Sequence, residues 1–254
     1  MGIVRLLFTI YTWIVTGLCF TLHWIAASCG RPFSKDPEWQ SIRWTWPFIR
    51  VGFFLCRFQF SIQGCDNIPL NGPFILVSNH QSHLDILMYL KGIPKKFAFV
   101  AKQELLRVPI LGWDMRNQGH IAINRSDPRG AVAELKRLEQ LIEGGKSVLL
   151  FPEGTRSADG QIGPFKKGAF MMAVHTGVPI IPCFIEGTGR ILNKKSLMMH
   201  PGTVTITVGK PMHVDKQAGG GAKPQAEALM HQAREWILGQ QQRSMRSPSI
   251  SIGG

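Results

Sequence analysis

A chain of 254 residues, 44% hydrophobic and 18% charged, has the length for one full α/β domain with residues to spare, and its composition argues against disorder of the whole chain. Its 29 Lys and Arg against 16 Asp and Glu leave a net charge of +13, which favours anionic partners: nucleic acid, anionic lipid headgroups or phosphorylated substrates. The five cysteines (Cys19, Cys29, Cys56, Cys65 and Cys183) are odd in number and lack CxxC spacing, against a disulfide framework or zinc site and in keeping with a reducing, cytosolic setting.

Between Arg5 and Arg31 there is no Asp, Glu, Lys or Arg, and the run Leu6–Ser28 is mostly apolar. As a helix it would be roughly 34 Å long, enough for a hydrocarbon core of about 30 Å. A cleaved signal peptide has a shorter apolar centre, typically ~7–15 residues, so the expectation is a retained membrane anchor. Arg31, Lys35, Arg43, Arg50 and Arg57 follow the run while only Arg5 precedes it, which predicts a downstream domain on the cytoplasmic face of the inner membrane. From about Pro47 to Arg57 the residues Phe48, Val51, Leu55 and Phe58 recur at helical spacing, after Trp44 and Trp46. This predicts an amphipathic helix at the lipid boundary, with a core helix as the alternative.

At Phe58 the period switches to two, which predicts a strand ending at Gly64. Further strands are expected at Phe74–Ser78, Phe97–Ala101, His120–Ile123, Ser147–Phe151, Val178–Ile185 and Thr203–Val208. Helices are expected at Leu84–Lys91, Pro128–Glu143 and Gly168–Thr176, the second opened by Pro128 and stopped by Gly144-Gly145. Near-continuous apolar strands alternating with helices imply an α/β fold, a mostly parallel or mixed sheet covered on both faces. Past Val214 come the glycines 219–221, a helix from about Pro224 to Leu238, and from Gln240 a polar tail expected to lack fixed structure. The reading is therefore an anchor over residues 1–57, an α/β domain over 58–215, and a helix with tail over 216–254.

Two clusters carry the chemistry. Asn79-His80-Gln81-Ser82-His83-Leu84-Asp85 follows a buried-type strand, where α/β sheets place their sites. His80 suits a general base, and Asp85 can accept its other ring proton. Ser82-x-x-Asp85 equally matches a helix cap, and His83 competes with His80 as base. Phe151-Pro152-Glu153-Gly154-Thr155-Arg156-Ser157 follows another apolar strand. Gly154 allows close backbone approach, Thr155 and Arg156 offer donors to phosphate, and a Glu153–Arg156 ion pair is expected to hold the guanidinium. Lys166 and Lys167 are either phosphate contacts or solvated surface charges, while His120 and His175 read as structural.

In order, separation and placement, Asn79–Asp85 and Phe151–Ser157 resemble the first and third sequence blocks of the glycerophospholipid acyltransferases, most nearly the bacterial 1-acyl-sn-glycerol-3-phosphate acyltransferases. Gly119–Arg125 is similar to the second block and Val178–Pro182 to the fourth, so the resemblance covers roughly Ile62 to Pro211. It implies His80 as base and Asp85 as its partner. It implies Lys102, Arg125, Glu153, Gly154, Thr155 and Arg156 at the acceptor phosphate. Asn124 departs from the Asp that many members carry beside the Arg, which bears on the choice of acceptor.

The resemblance implies transfer of a fatty acyl group from acyl-CoA or acyl carrier protein to lysophosphatidic acid at a lipid bilayer, without a metal or further cofactor. The alternatives are another lyso-acceptor, such as a lyso-ornithine lipid, and a membrane-bound hydrolase. A non-enzymatic membrane or nucleic-acid binder would match the charge and the anchor but leaves both clusters unexplained. The expectation that carries the reading is that the two distant loops fold together around one hollow.

Overall fold

The computed structural model describes residues 2–123, 128–214 and 221–246. Two long helices open the chain, α1 (Gly2–Gly30) and α2 (Pro37–Leu55), and are followed by strand β1 (Phe58–Gln63). Then come β2 (Ile75–Ser78), α3 (Leu84–Gly92), β3 (Phe97–Lys102), α4 (Pro109–Asn117), β4 (Ile121–Ile123), α5 (Pro128–Glu143) and β5 (Ser147–Leu150). The chain closes with α6 (Gly168–Thr176), β6 (Ile180–Glu186), the single turn α7 (Thr188–Ile191), β7 (Gly202–Val208) and α8 (Ala222–Arg246). All seven expected strands are present.

They form one mixed sheet in the order β1-β7-β6-β2-β5-β3-β4, parallel throughout except between β6 and β7. Every residue of β2 is buried, and alternate side chains enter separate cores. Leu76 packs with Phe53, Leu84 and Met88 under α2 and α3. Ile75 and Val77 pack with Leu138, Phe170 and Ile237 under α5, α6 and α8. The chain thus leaves β2 for a helix on one face and β5 for a helix on the other. The crevice between their carboxyl ends is where such sheets bind ligands.

Three elements differ from expectation. α2 begins ten residues before Pro47, because Asp36 caps it (Trp39 N–H to Oδ1, 3.0 Å) and Pro37 fills its first turn. Pro47 then sits inside the helix, where it forfeits one backbone bond without ending it. α4 was not expected: its buried side includes Gly112 and Asp114, so no apolar stripe marks it. α8 runs through the expected tail to Arg246, its buried face continuing from Ile237 to Gln241, whose amide donates to Gly160 O at 2.7 Å. The domain limit near residue 215 and residues 247–254 lie outside the described residues.

α1 and α2 form a hairpin against the first core, and a buried polar chain joins them to the sheet edge. His23 Nε2 lies 3.1 Å from Asp114 Oδ1, Gln118 Nε2 donates to Asp114 Oδ2 at 2.9 Å, and His120 Nε2 lies 2.9 Å from Gln118 Oε1. Burial, with Lys146 nearby, pushes the His120 pKa down to about 3. His120 is therefore neutral when folded but protonates below about 6.5 when unfolded. The unfolded chain binds the extra proton between those values, so stability falls with acid by up to about 1.4 kcal/mol per pH unit. We expect urea midpoints measured in detergent to drop from pH 6.5 to pH 4.5, and to drop less in His120→Gln.

Candidate active site

The Asn79–Asp85 segment turns sharply between β2 and α3, and its geometry is set by side chains bonding backbone. Asn79, buried at the end of β2, donates from Nδ2 to Ile185 O (2.8 Å) and accepts at Oδ1 from Ile185 N–H (2.9 Å), extending the β2–β6 ladder by a side chain. Asp85 is fully buried. Its Oδ2 accepts from Gln81 N–H (2.8 Å) and Ser82 N–H (3.1 Å) and lies 2.7 Å from His80 Nδ1. The two readings of Asp85 thus coexist: one oxygen both caps the turn and holds the imidazole. With a carboxylate as acceptor, the ring proton sits on Nδ1 and the Nε2 lone pair is left free. Among the described residues Nε2 has no hydrogen-bond partner, and the His80 side chain is 14% exposed.

The second loop grips the first through His80. Its backbone N–H donates to Glu153 Oε1 at 2.9 Å, its carbonyl accepts from Ser157 N–H at 2.7 Å, and its ring stacks on Phe151 at 4.0 Å between centroids. The expected Glu153–Arg156 ion pair does not form among the described residues. Glu153 Oε2 instead accepts from Gly163 N–H at 2.9 Å, so both oxygens serve backbone amides. Burial raises the Glu153 pKa while those two amides oppose the rise. Gly154 adopts φ +72°, and a Cβ there would stand 2.9 Å from Lys166 Nζ, which places that lysine over the loop.

Arg156 is half-buried, and its charge acts on His83 in the opposite loop. Desolvation of the His83 ring, then the guanidinium, then His80, push the His83 pKa down, which favours the neutral ring. Lys102 ends β3, two strands from β2, where it pairs with Glu104 at 3.0 Å and stays exposed. Arg125, one position past Asn124 and two past the end of β4, lies outside the described residues. Lys167 is engaged by Glu227 in an exposed pair. Sequence reasoning missed Lys194, whose Nζ donates to Thr155 Oγ1 (3.2 Å) and Arg156 O (2.5 Å). A cavity of about 330 Å³ borders the junction and is lined by Gln81, Ser157, Glu186 and Asn193; neither His80 nor Arg156 lines it.

Residues 59–186, which contain both loops, match the family model described as Acyltransferase. The chain belongs to that family. It is 37% identical over 237 residues to the 1-acyl-sn-glycerol-3-phosphate acyltransferase LPAT1 (chloroplastic) of Arabidopsis thaliana, covering 90% of this chain and 63% of that protein. The 1-acyl-sn-glycerol-3-phosphate acyltransferase of Pseudomonas aeruginosa is 35% identical over 181 residues, 70% of this chain and 67% of that one. The crystal structure of the 1-acyl-sn-glycerophosphate (LPA) acyltransferase PlsC from Thermotoga maritima superposes with a TM-score of 0.79 at 26% identity, covering 94% of this chain and 97% of that chain. The match to the Arabidopsis relative spans less than two thirds of that protein's length.

Glu153 makes a further expectation for this family member concrete. Glu153→Gln presents an NH₂ to one of the two amides, and losing a charge-assisted acceptor costs about 1–3 kcal/mol. Denaturation in detergent should show that loss, together with reduced turnover.

Proposed function

We propose that this chain transfers a fatty acyl group from a thioester donor, acyl-CoA or acyl carrier protein, to the sn-2 hydroxyl of 1-acyl-glycerol 3-phosphate, giving phosphatidic acid. The observation that carries this reading is the His80–Asp85 pair with a free Nε2, locked to the loop that contains Arg156. His80 Nε2 takes the hydroxyl proton and Asp85 stabilises the imidazolium. The acceptor oxygen attacks the thioester carbonyl, the C–S bond breaks, and the thiol leaves with the proton from His80. Atoms and charge balance without an acyl-enzyme. Thr155 and Arg156, with Lys102 and, by the family resemblance, Arg125, are assigned to the acceptor phosphate.

The helical hairpin supports work at a membrane. α1 is long and apolar enough to cross one by length and composition. Its buried residues Thr9, Thr12, Val15, His23 and Ala27 follow one stripe, and Ile3, Leu7, Ile10, Ile14, Leu18 and Leu22 lie exposed on the rest. Thr9 bonds Met199 N–H (3.1 Å) and His23 pairs with Asp114, points about 21 Å apart along the helix axis. A helix docked to the domain at both points is suited to lie along one leaflet rather than to cross. We therefore assign α1 and the outward Val51 and Phe54 of α2 to the cytoplasmic leaflet, with the basic surface toward anionic headgroups.

Positioned general bases contribute about 10²–10⁴ in rate, so His80→Ala should lower turnover by that factor at unchanged fold. Arg156→Ala should weaken use of the phosphorylated acceptor roughly 10–150-fold. Purified protein offered a panel of lysolipids with mass detection should form phosphatidic acid fastest. A lyso-ornithine or other lysolipid product formed faster would redirect the acceptor. Thioester loss at full rate without acceptor would make the chain a hydrolase.

A further inference from the structure

The segment between β6 and β7 is bonded to both loops of the site. Ser82 Oγ donates to Leu192 O at 2.8 Å, and Lys194 Nζ donates to Thr155 Oγ1 and Arg156 O. Asn193 shapes the segment between them, its Oδ1 accepting from Lys195 N–H at 2.9 Å. The far end of the segment is held by α1, where Trp13 Nε1 donates to Leu197 O at 3.0 Å and Thr9 bonds Met199. Lys194 is thus partly buried on a strap fixed at both ends, unlike its exposed neighbour Lys195.

We propose that Lys194 is a positioning residue that sets the acceptor-phosphate loop and hence the preference for a phosphorylated lysolipid. This rests on the acyltransferase reading above. An ammonium has only donors, so Thr155 Oγ1 must accept from it, and the Thr155 O–H is left to donate outward. The bond to Arg156 O fixes the backbone from which the guanidinium springs. Two of the three ammonium donors are engaged within the loop, and the ammonium keeps its positive charge beside it. Lys194 therefore orients two phosphate donors and adds positive potential beside them, without touching the reacting hydroxyl or thioester. A lysine in a surface connection carries no such signal in sequence; only the fold brings it to Thr155.

The test uses the full chain in detergent or vesicles, with 1-acyl-glycerol 3-phosphate and the uncharged 1-monoacylglycerol as alternative acceptors. Lys194→Met should raise KM for the phosphorylated acceptor about 10-fold, leave kcat and the donor KM within about threefold, and leave use of the neutral acceptor unchanged. Lys194→Arg should restore most of the loss. Combined with Arg156→Ala, Lys194→Met should add less than its single effect, as residues acting through one contact do. Equal losses on both acceptors, or an unchanged KM for the phosphorylated one, would overturn the proposal. Should Lys194→Met fail to fold, Lys194→Gln, which removes the charge but keeps a polar side chain, decides: the same selective rise in KM for the phosphorylated acceptor supports the proposal and none refutes it. A wild-type protein that acylates neither acceptor would instead refute the underlying acyltransferase reading.

Discussion

The site depends on one backbone unit being held from both sides. His80 donates its N–H to Glu153 and offers its carbonyl to Ser157, while its ring lies on Phe151 and against Asp85. Two loops 73 residues apart in sequence, from His80 to Glu153, are thereby locked around a single imidazole. An isolated His–Asp contact would leave the ring free to turn away; here four contacts from two strand ends over-determine it.

The sheet makes that clasp possible. β2 and β5 are parallel neighbours whose chains depart to opposite faces, so their carboxyl ends open side by side with no helix between them. Asn79 extends β2 toward β6 with a side chain, which brings the segment after β6, and with it Lys194, against the same edge. The N-terminal hairpin bonds both to that segment, through Thr9 and Trp13, and to the far edge, through His23. The N-terminal hairpin and the junction of the two loops are therefore parts of one packed unit.

Much of this was legible in the sequence because it rests on local pattern. Buried strands announce themselves as apolar runs; His80 and Arg156 stand in the loops that follow such runs, and Asp85 in the first turn of the helix after one. What escaped has a physical reason in each case. Glu153 reads as a partner for Arg156 because like patterns suggest ion pairs, yet a carboxylate facing two unpaired amides is better used there. α4 hides because its buried face includes Gly112 and Asp114, and α8 runs long because Gln241 is buried by a hydrogen bond rather than by hydrophobicity. The lining of the cavity beside the junction and the place of Lys194 at Thr155 depend on chain segments that meet only in the fold.

The tautomer of His80 tests the clasp most directly. Nitrogen NMR of imidazole-labelled protein in micelles, assigned by comparison with His80→Asn, should show the neutral ring protonated at Nδ1 and bare at Nε2. A neutral His80 protonated at Nε2 would contradict the account, because the nitrogen meant to receive the acceptor proton would already carry one.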